Sequence, residues 1–226
     1  MSRQPRIAVI LSGCGVYDGA EIHESVLTLL ALSREGAAHQ CLAPDVAQRR
    51  VVDHVTGQAT GETRNVLVES ARIARGAIQS LEGAKPTDFD GAILPGGYGA
   101  ALNLSSYGVA GADMTVEPTT SAFLVAMVKA RKPIAAVCIA PPILARVLRE
   151  AGVTTSPHLT VGEAGGDDGK NLTALGATPV QCTAKEVVVD RESRVITSPA
   201  YMLATSLSEL EVGITRTVRE LLALVG

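Results

Sequence analysis

Short apolar runs alternate with stretches of helical periodicity along most of the chain, a pattern that predicts a mainly parallel sheet covered by helices on both faces. Arg6 to Leu11 reads as a buried strand closed by Ser12-Gly13-Cys14-Gly15. Glu21 to Arg34 repeats Ile22, Val26, Leu29, Leu30 and Ser33 along one helical face, and Gly36 is placed to end that helix. Ala38 to Ala43 gives a second strand stopped by Pro44. Residues 45–61 are turn-rich, and Glu62 to Arg75 gives a second helix stopped by Gly76. Phe89 to Leu94 is another buried strand, ending in Pro95-Gly96-Gly97-Tyr98-Gly99.

The alternation continues to the end of the chain. Glu117-Pro118 starts a helix that runs to about Ala130. Pro133 to Val137 is a strand, and the helix that follows from Pro141 ends at Gly152. Leu159 to Gly162 reads as a short strand and Lys170 to Leu175 as a short helix. Glu186 to Asp190 and Arg194 to Thr197 alternate around Arg191-Glu192-Ser193 as a hairpin. Tyr201 to Val225 closes the chain as a helix with Gly213 as its weak point. No linker divides the 226 residues, which read as one domain spanning residues 1–226.

Composition narrows the chemistry. Hydrophobic residues make up 46% of the chain, enough for a core that needs no disulfide or metal. Aromatics are only 3%, so that core is built from Ala, Val, Leu and Ile. A net charge of −3 predicts neither a nucleic-acid nor an acidic-membrane partner. Met1 to Arg6 runs into the first strand without an apolar signal segment, and no apolar run is long enough to span a bilayer. Cys14, Cys41, Cys138 and Cys182 lie far apart, with no CxxC pair and no histidine at zinc spacing. That usage predicts reduced thiols, no metal and a cytoplasmic setting.

Of these cysteines, Cys138 has the address of a nucleophile. The run Pro133-Ile134-Ala135-Ala136-Val137 ends in it, and Pro141-Pro142 then suits only the first turn of a helix. A thiol at such a strand-turn-helix elbow lies beside unpaired helix N–H groups, which favour its thiolate. Ser12 to Gly15, Pro95 to Gly97 and Cys138 to Pro141 all fall at the carboxyl ends of strands, where open α/β sheets place their ligand site. The first of these matches a dinucleotide fingerprint only loosely, because Asp18 stands where the third glycine belongs.

Six segments carry a family resemblance: Leu11 to Gly19, Glu21 to Glu24, Glu62 to Val66, Leu94 to Gly97, Cys138 to Pro141 and Thr197 to Met202. With them the chain resembles the class I glutamine-amidotransferase-like superfamily that includes the PfpI proteases and deglycases. Within it, the chain is similar to the ElbB group, described as glyoxalases and as isoprenoid-biosynthesis proteins. The resemblance implies a flavodoxin-like three-layer sandwich with a nucleophile elbow. It implies Cys138 and Glu24 as catalytic residues, with the backbone of Gly97 and Ile139 at the oxyanion positions. A carboxyl held near a thiol in a partly dry pocket has a raised pKa and can move a proton between substrate carbon and oxygen.

The remaining candidates divide evenly between chemistry and structure. Cys14 either lines the pocket or is a plain loop residue. Asp18, Arg64 and Asn65 either bind substrate or make loop and helix-cap hydrogen bonds. Tyr201 closes one wall of the pocket. His23 neighbours Glu24 but points about 100° away from it on a helix. His158 lies twenty residues past Cys138, close to the separation of the histidine in several relatives. Because it precedes the strand Leu159 to Gly162, Glu163 is the residue that emerges at the site end.

The function implied is a cofactor-independent glyoxalase, converting a small dicarbonyl substrate of the glyoxal type to an α-hydroxy acid through a hemithioacetal, an enediol and a thioester on Cys138. No metal or nucleotide is called for, and the resemblance suggests a homodimer. The same thiol chemistry on a larger substrate gives a protein deglycase. A different class is a non-catalytic regulatory or redox-sensing protein linked to isoprenoid synthesis, since an exposed, ionised thiol oxidises readily. A glutaminase subunit requires a well-placed histidine.

Overall fold

The computed structural model describes residues 3–226. Seven strands form the central sheet: β1 (Arg6–Ile10), β2 (Ala38–Ala43), β3 (Ile78–Ser80), β4 (Gly91–Leu94), β5 (Ile134–Val137), β6 (Val188–Asp190) and β7 (Val195–Ser198). Their order is β6-β7-β5-β4-β1-β2-β3, parallel throughout except for the β6–β7 hairpin. Register is fixed by pairs such as Val9 with Cys41 and Ile93, and Ala136 with Leu94 and Thr197. Two further two-stranded ladders, Val52–Asp53 with Gln58–Ala59 and His158–Leu159 with Thr178–Pro179, lie outside this sheet.

Eight α-helices surround it: α1 (Ile22–Arg34), α2 (Val66–Ile73), α3 (Tyr98–Leu102), α4 (Tyr107–Ala110), α5 (Pro118–Lys129), α6 (Pro141–Glu150), α7 (Asp167–Ala174) and α8 (Leu207–Val225). Strand alternation assigns the faces. Ile7, Val9, Ile93, Ala135 and Ile196 pack with α1 and α8 on one side. Ala8, Ile10, Leu94, Ile134 and Ala136 pack with α5 and α6 on the other. The result is a flavodoxin-like α/β sandwich in which the central strands β4, β5 and β7 are buried along their whole length, as parallel strands covered on both faces require.

Several boundaries differ from the sequence pattern, each for a local reason. α2 starts at Val66 rather than Glu62, because Asn65 is its cap and accepts from the Val68 N–H at 3.0 Å. α8 starts at Leu207 rather than Tyr201; Ala200–Met202 is a 3-10 turn, and Ser206 caps the helix by accepting from Glu209 N–H. The expected strand Leu159 to Gly162 shortens to His158–Leu159, since the Thr160 N–H donates to Thr197 Oγ1 instead of a strand partner.

The largest correction concerns α1. Ile22, Val26 and Leu30 of its apolar stripe are exposed, and the buried face carries Glu24, Ser25, Thr28, Ala31 and Leu32. The helix therefore turns a partly polar face inward, and that face delivers a carboxyl to the ends of the strands. In α8, Gly213 is a site of close approach and not a defect. A side-chain carbon there would lie 2.4 Å from the Ala184 carbonyl oxygen.

Candidate active site

Three strand ends converge on one point. β5 ends in the elbow at Cys138, whose φ of 59° is in the left-handed region that residues with side chains rarely adopt. The Cys138 N–H donates to the Ser198 carbonyl at the end of β7 at 2.9 Å, which holds the elbow against its neighbour. Prolines at the first turn of α6 then carry the chain away with no side-chain cap, as the sequence required. β4 ends in the Pro95-Gly96-Gly97 loop directly opposite.

Glu24 completes the pair. It is fully buried on α1, and its Oε2 accepts the Gly96 N–H at 2.8 Å while its Oε1 accepts the Tyr201 N–H at 3.3 Å. The carboxyl stands beside the Cys138 thiol, and each group shifts the ionisation of the other. Gly96 separates the two so tightly that a side-chain carbon on it would lie 2.4 Å from Cys138 Cβ and 2.9 Å from Glu24 Oε2. Only glycine fits.

Electrostatics follow from this burial. Desolvation first, then the charge of Glu21, pushes Glu24 up to about 7, against the two N–H donors that favour its anion. Burial and then the Glu24 carboxyl push the Cys138 thiol well above the ordinary thiol range. The N–H groups of Gly97 and Ile139 face the sulfur and pull the other way. The expectation of a resting thiolate is therefore corrected: burial outweighs the helix end, and the site stores its proton on sulfur with an acceptor beside it.

The sulfur opens onto a cleft of ≈ 410 Å³. Glu21, Gly97, Ile139 and Tyr201 line it, and so do Tyr98, Tyr107, Asp168 and Asn171, none of which the sequence pattern singled out. Tyr107 donates its hydroxyl to Asp168 Oδ1 and accepts from Asn171 Nδ2 at 3.1 Å. Tyr98 follows the glycine loop directly, so its position was readable. Tyr107, Asp168 and Asn171 come from distant helices and carried no pattern.

Other expected site residues stand elsewhere. Cys14 sits beside Glu69 and Arg72 of α2 and does not line the cleft, and burial raises its thiol. Asp18 is buried and organises its loop, with Oδ2 accepting the Val52 N–H at 2.7 Å. Arg64 is a surface side chain paired with Glu62 at 2.7 Å and with Glu69 at 3.5 Å. Asn65 is a helix cap that also donates to Asp45 at 2.7 Å. Glu163 is exposed in a neighbouring depression, because the strand expected to aim it at Cys138 does not continue past Leu159. His158 is tied to Asp190, with Nδ1 at 3.3 Å. Of the four histidines, none lines the cleft; His23 reaches only its rim, 2.8 Å from the Tyr201 hydroxyl. Among the described residues, no group of three His, Cys, Asp or Glu converges to hold a metal ion, and no helix is long and apolar enough to cross a membrane.

No family model matches the chain. A human protein called "Glutamine amidotransferase-like class 1 domain-containing protein 3, mitochondrial" is 46% identical across 98% of this chain and 84% of its own length. The rat "ES1 protein homolog, mitochondrial" is 43% identical over the same shares. The crystal structure of an Ehrlichia chaffeensis "isoprenoid biosynthesis protein with amidotransferase-like domain" superposes with a TM-score of 0.87 at 35% identity, covering 96% of this chain and 99% of that one. Drosophila melanogaster DJ-1beta, 20% identical with a TM-score of 0.53 over 98% and 97% of the two chains, shares the fold. These names overturn the cytoplasmic expectation, since the curated relatives are called mitochondrial. Cysteine usage had spoken only to reducing conditions and did not separate one reducing compartment from another. On its identity to these proteins over nearly its whole length, the chain belongs to the glutamine amidotransferase-like class 1 domain family.

Proposed function

We propose that the protein is a cofactor-independent glyoxalase of the ElbB kind, acting on glyoxal-type α-oxoaldehydes through Cys138. The observation that carries this reading is the buried Glu24 carboxyl beside the Cys138 thiol, both within 3.0 Å of the place a side-chain carbon on Gly96 would occupy, with the N–H groups of Gly97 and Ile139 acting on the same sulfur. A thiol with an adjacent base adds to a carbonyl, and two N–H donors stabilise the oxyanion that forms.

Each step balances on these groups. The sulfur bonds to the aldehyde carbon, its proton passes to Glu24, and the carbonyl π pair moves onto oxygen, which then takes that same proton from Glu24 to close the hemithioacetal and leave Glu24 a carboxylate. Glu24 as carboxylate then removes the C–H proton of that carbon, the neighbouring carbonyl takes up the electrons as an enediolate, the hydroxyl proton of the first carbon passes to that second oxygen, and Glu24 returns its proton to the second carbon. The product is a thioester beside a new alcohol, so one carbon is oxidised as its neighbour is reduced. Water cleaves the thioester and restores the thiol.

A buried group that titrates near 7 suits this relay, because it gives and accepts protons with little bias at neutral pH. Glutaminase chemistry is less well supported, because no imidazole reaches the sulfur to protonate an amine leaving group. Redox sensing is also less well supported. Sulfenic acid formation follows thiolate character and exposure, and burial suppresses both at Cys138.

The test is turnover of glyoxal to glycolate by the purified protein and by Cys138→Ser, followed by NMR. Loss of at least ~10³-fold in the variant supports the assignment; equal turnover in both proteins ends it. A glycated peptide run in parallel tells free-aldehyde from deglycase activity.

A further inference from the structure

The chain has four tyrosines, and three of them, Tyr98, Tyr107 and Tyr201, line the one cleft that opens on Cys138. In a chain with 3% aromatic residues this concentration marks a built surface. The charged side chains lining the same cleft are both carboxylates, Glu21 and Asp168; no Lys, Arg or His lines it. Each carboxylate is anchored through one oxygen only. Glu21 Oε2 accepts the Glu24 N–H at 2.6 Å, and Asp168 Oδ1 accepts the Tyr107 hydroxyl. Their second oxygens have no hydrogen-bond partner among the described residues. The cationic groups nearby stand at the rim and already have partners: Arg50 donates to the Tyr17 carbonyl with its guanidinium 5.6 Å from the Tyr98 ring, and His23 is on the Tyr201 hydroxyl. The volume of ≈ 410 Å³ falls in the range of pockets that enclose whole metabolite-sized ligands, far more than a two-carbon dialdehyde fills.

Aromatic faces together with unpaired carboxylates are the chemistry that recognises an ammonium ion. We propose that the cleft selects carbonyl compounds bearing an ammonium group, with the carbonyl at Cys138 and the cation held among Tyr98, Tyr107, Tyr201, Glu21 and Asp168. This deepens the carbonyl-addition reading by naming the substrate class, and the same charges exclude carboxylate- and phosphate-bearing aldehydes.

Choline, which has no carbonyl, probes the cation site by itself. Calorimetry on the Cys138→Ser protein should show choline binding about tenfold more tightly than its neutral carbon isostere dimethylbutanol, the size of one partly desolvated cation–π contact. Asp168→Asn, and independently the half-exposed Tyr98→Leu, should abolish that preference. Equal binding of the two probes, or a preference that survives both substitutions, overturns the proposal.

A second measurement joins the two ends of the cleft in the unsubstituted protein. Betaine aldehyde should protect Cys138 from iodoacetamide at about a tenth of the concentration required of tert-butylacetaldehyde. The protecting step is reversible addition: the sulfur bonds to carbon, the thiol proton ends on oxygen, and nothing is oxidised. Best protection by succinic semialdehyde, an anion, overturns the proposal. If choline preference holds while glyoxal is not turned over, the glyoxalase reading fails and the cation site stands.

Discussion

Glu24 and Cys138 face each other across the backbone of Gly96, which donates its N–H to Glu24 Oε2 at 2.8 Å and leaves no room for a side chain between them. One residue comes from a helix early in the chain and the other from an elbow more than a hundred positions later. Their closeness couples their protons: ionising either one raises the cost of ionising the other.

Replacing Glu24 by Gln keeps the shape of the side chain and removes its ability to take a proton. Turnover of glyoxal should fall by about 10²–10⁴. In the unsubstituted protein kcat/KM should rise as pH increases through about 7, where Glu24 ionises, and this limb should vanish in the variant. A pH profile shared by both proteins refutes the role given to Glu24.

The same carboxyl sets a stability trend. Its native pKa, about 7, lies above its ordinary value of 4.5, so the folded state holds a proton that the unfolded chain releases in between. This contribution is fully present below about 4.5 and is lost as pH rises through about 7, on the order of 3 kcal/mol in all. Urea unfolding at a series of pH values should show stability falling across that window, with a flatter curve for Glu24→Gln.

Gly96→Ala tests the separation of the pair. The added carbon would meet Cys138 Cβ at 2.4 Å, so the loop or the elbow has to move. A destabilisation of about 1–3 kcal/mol is expected from overpacking. Glyoxal turnover should drop about 10²-fold, as misplacement of reacting groups by an ångström does. Unchanged turnover in a folded variant counts against the geometry.

Gly213→Ala should reverse the usual helix rule. Within a helix this change normally stabilises by about 1 kcal/mol. Here the new carbon would lie 2.4 Å from the Ala184 carbonyl oxygen, so thermal melting should occur at a lower temperature. A higher melting temperature contradicts the close approach.

Local chemistry made the elbow, the glycine loop and most of the sheet readable. Buried strands such as Ile134–Val137 are continuous apolar runs, and prolines at 141 and 142 permit little else after a cysteine bend. The edge strand Ile78–Ser80 was missed because it has three residues, two of them polar. The orientation of α1 was misread because periodicity reports where apolar residues lie, not which face is buried. Its inward Glu24, Ser25 and Thr28 reverse the usual rule where a helix serves a site. The thiol's protonation was misjudged for a related reason: the helix N-terminus is visible in sequence, whereas burial and the Glu24 charge belong to the folded state. Tyr107, Asp168 and Asn171 meet only through tertiary contact, and nothing in their local sequence announces it.

The inward-facing carboxyl of α1 ties reactivity to the seating of a single helix. That helix is pinned along its outer flank by Arg34 with Glu211 and by Glu35 with Arg219, at 3.0 and 2.7 Å. In the proposed mechanism the thiol passes its hydrogen to Glu24, so lifting this helix would remove the acceptor while Cys138 stays on the elbow after β5. Under that mechanism competence is a property of the assembled sandwich, and loosening one outer layer is enough to silence the cysteine without altering it.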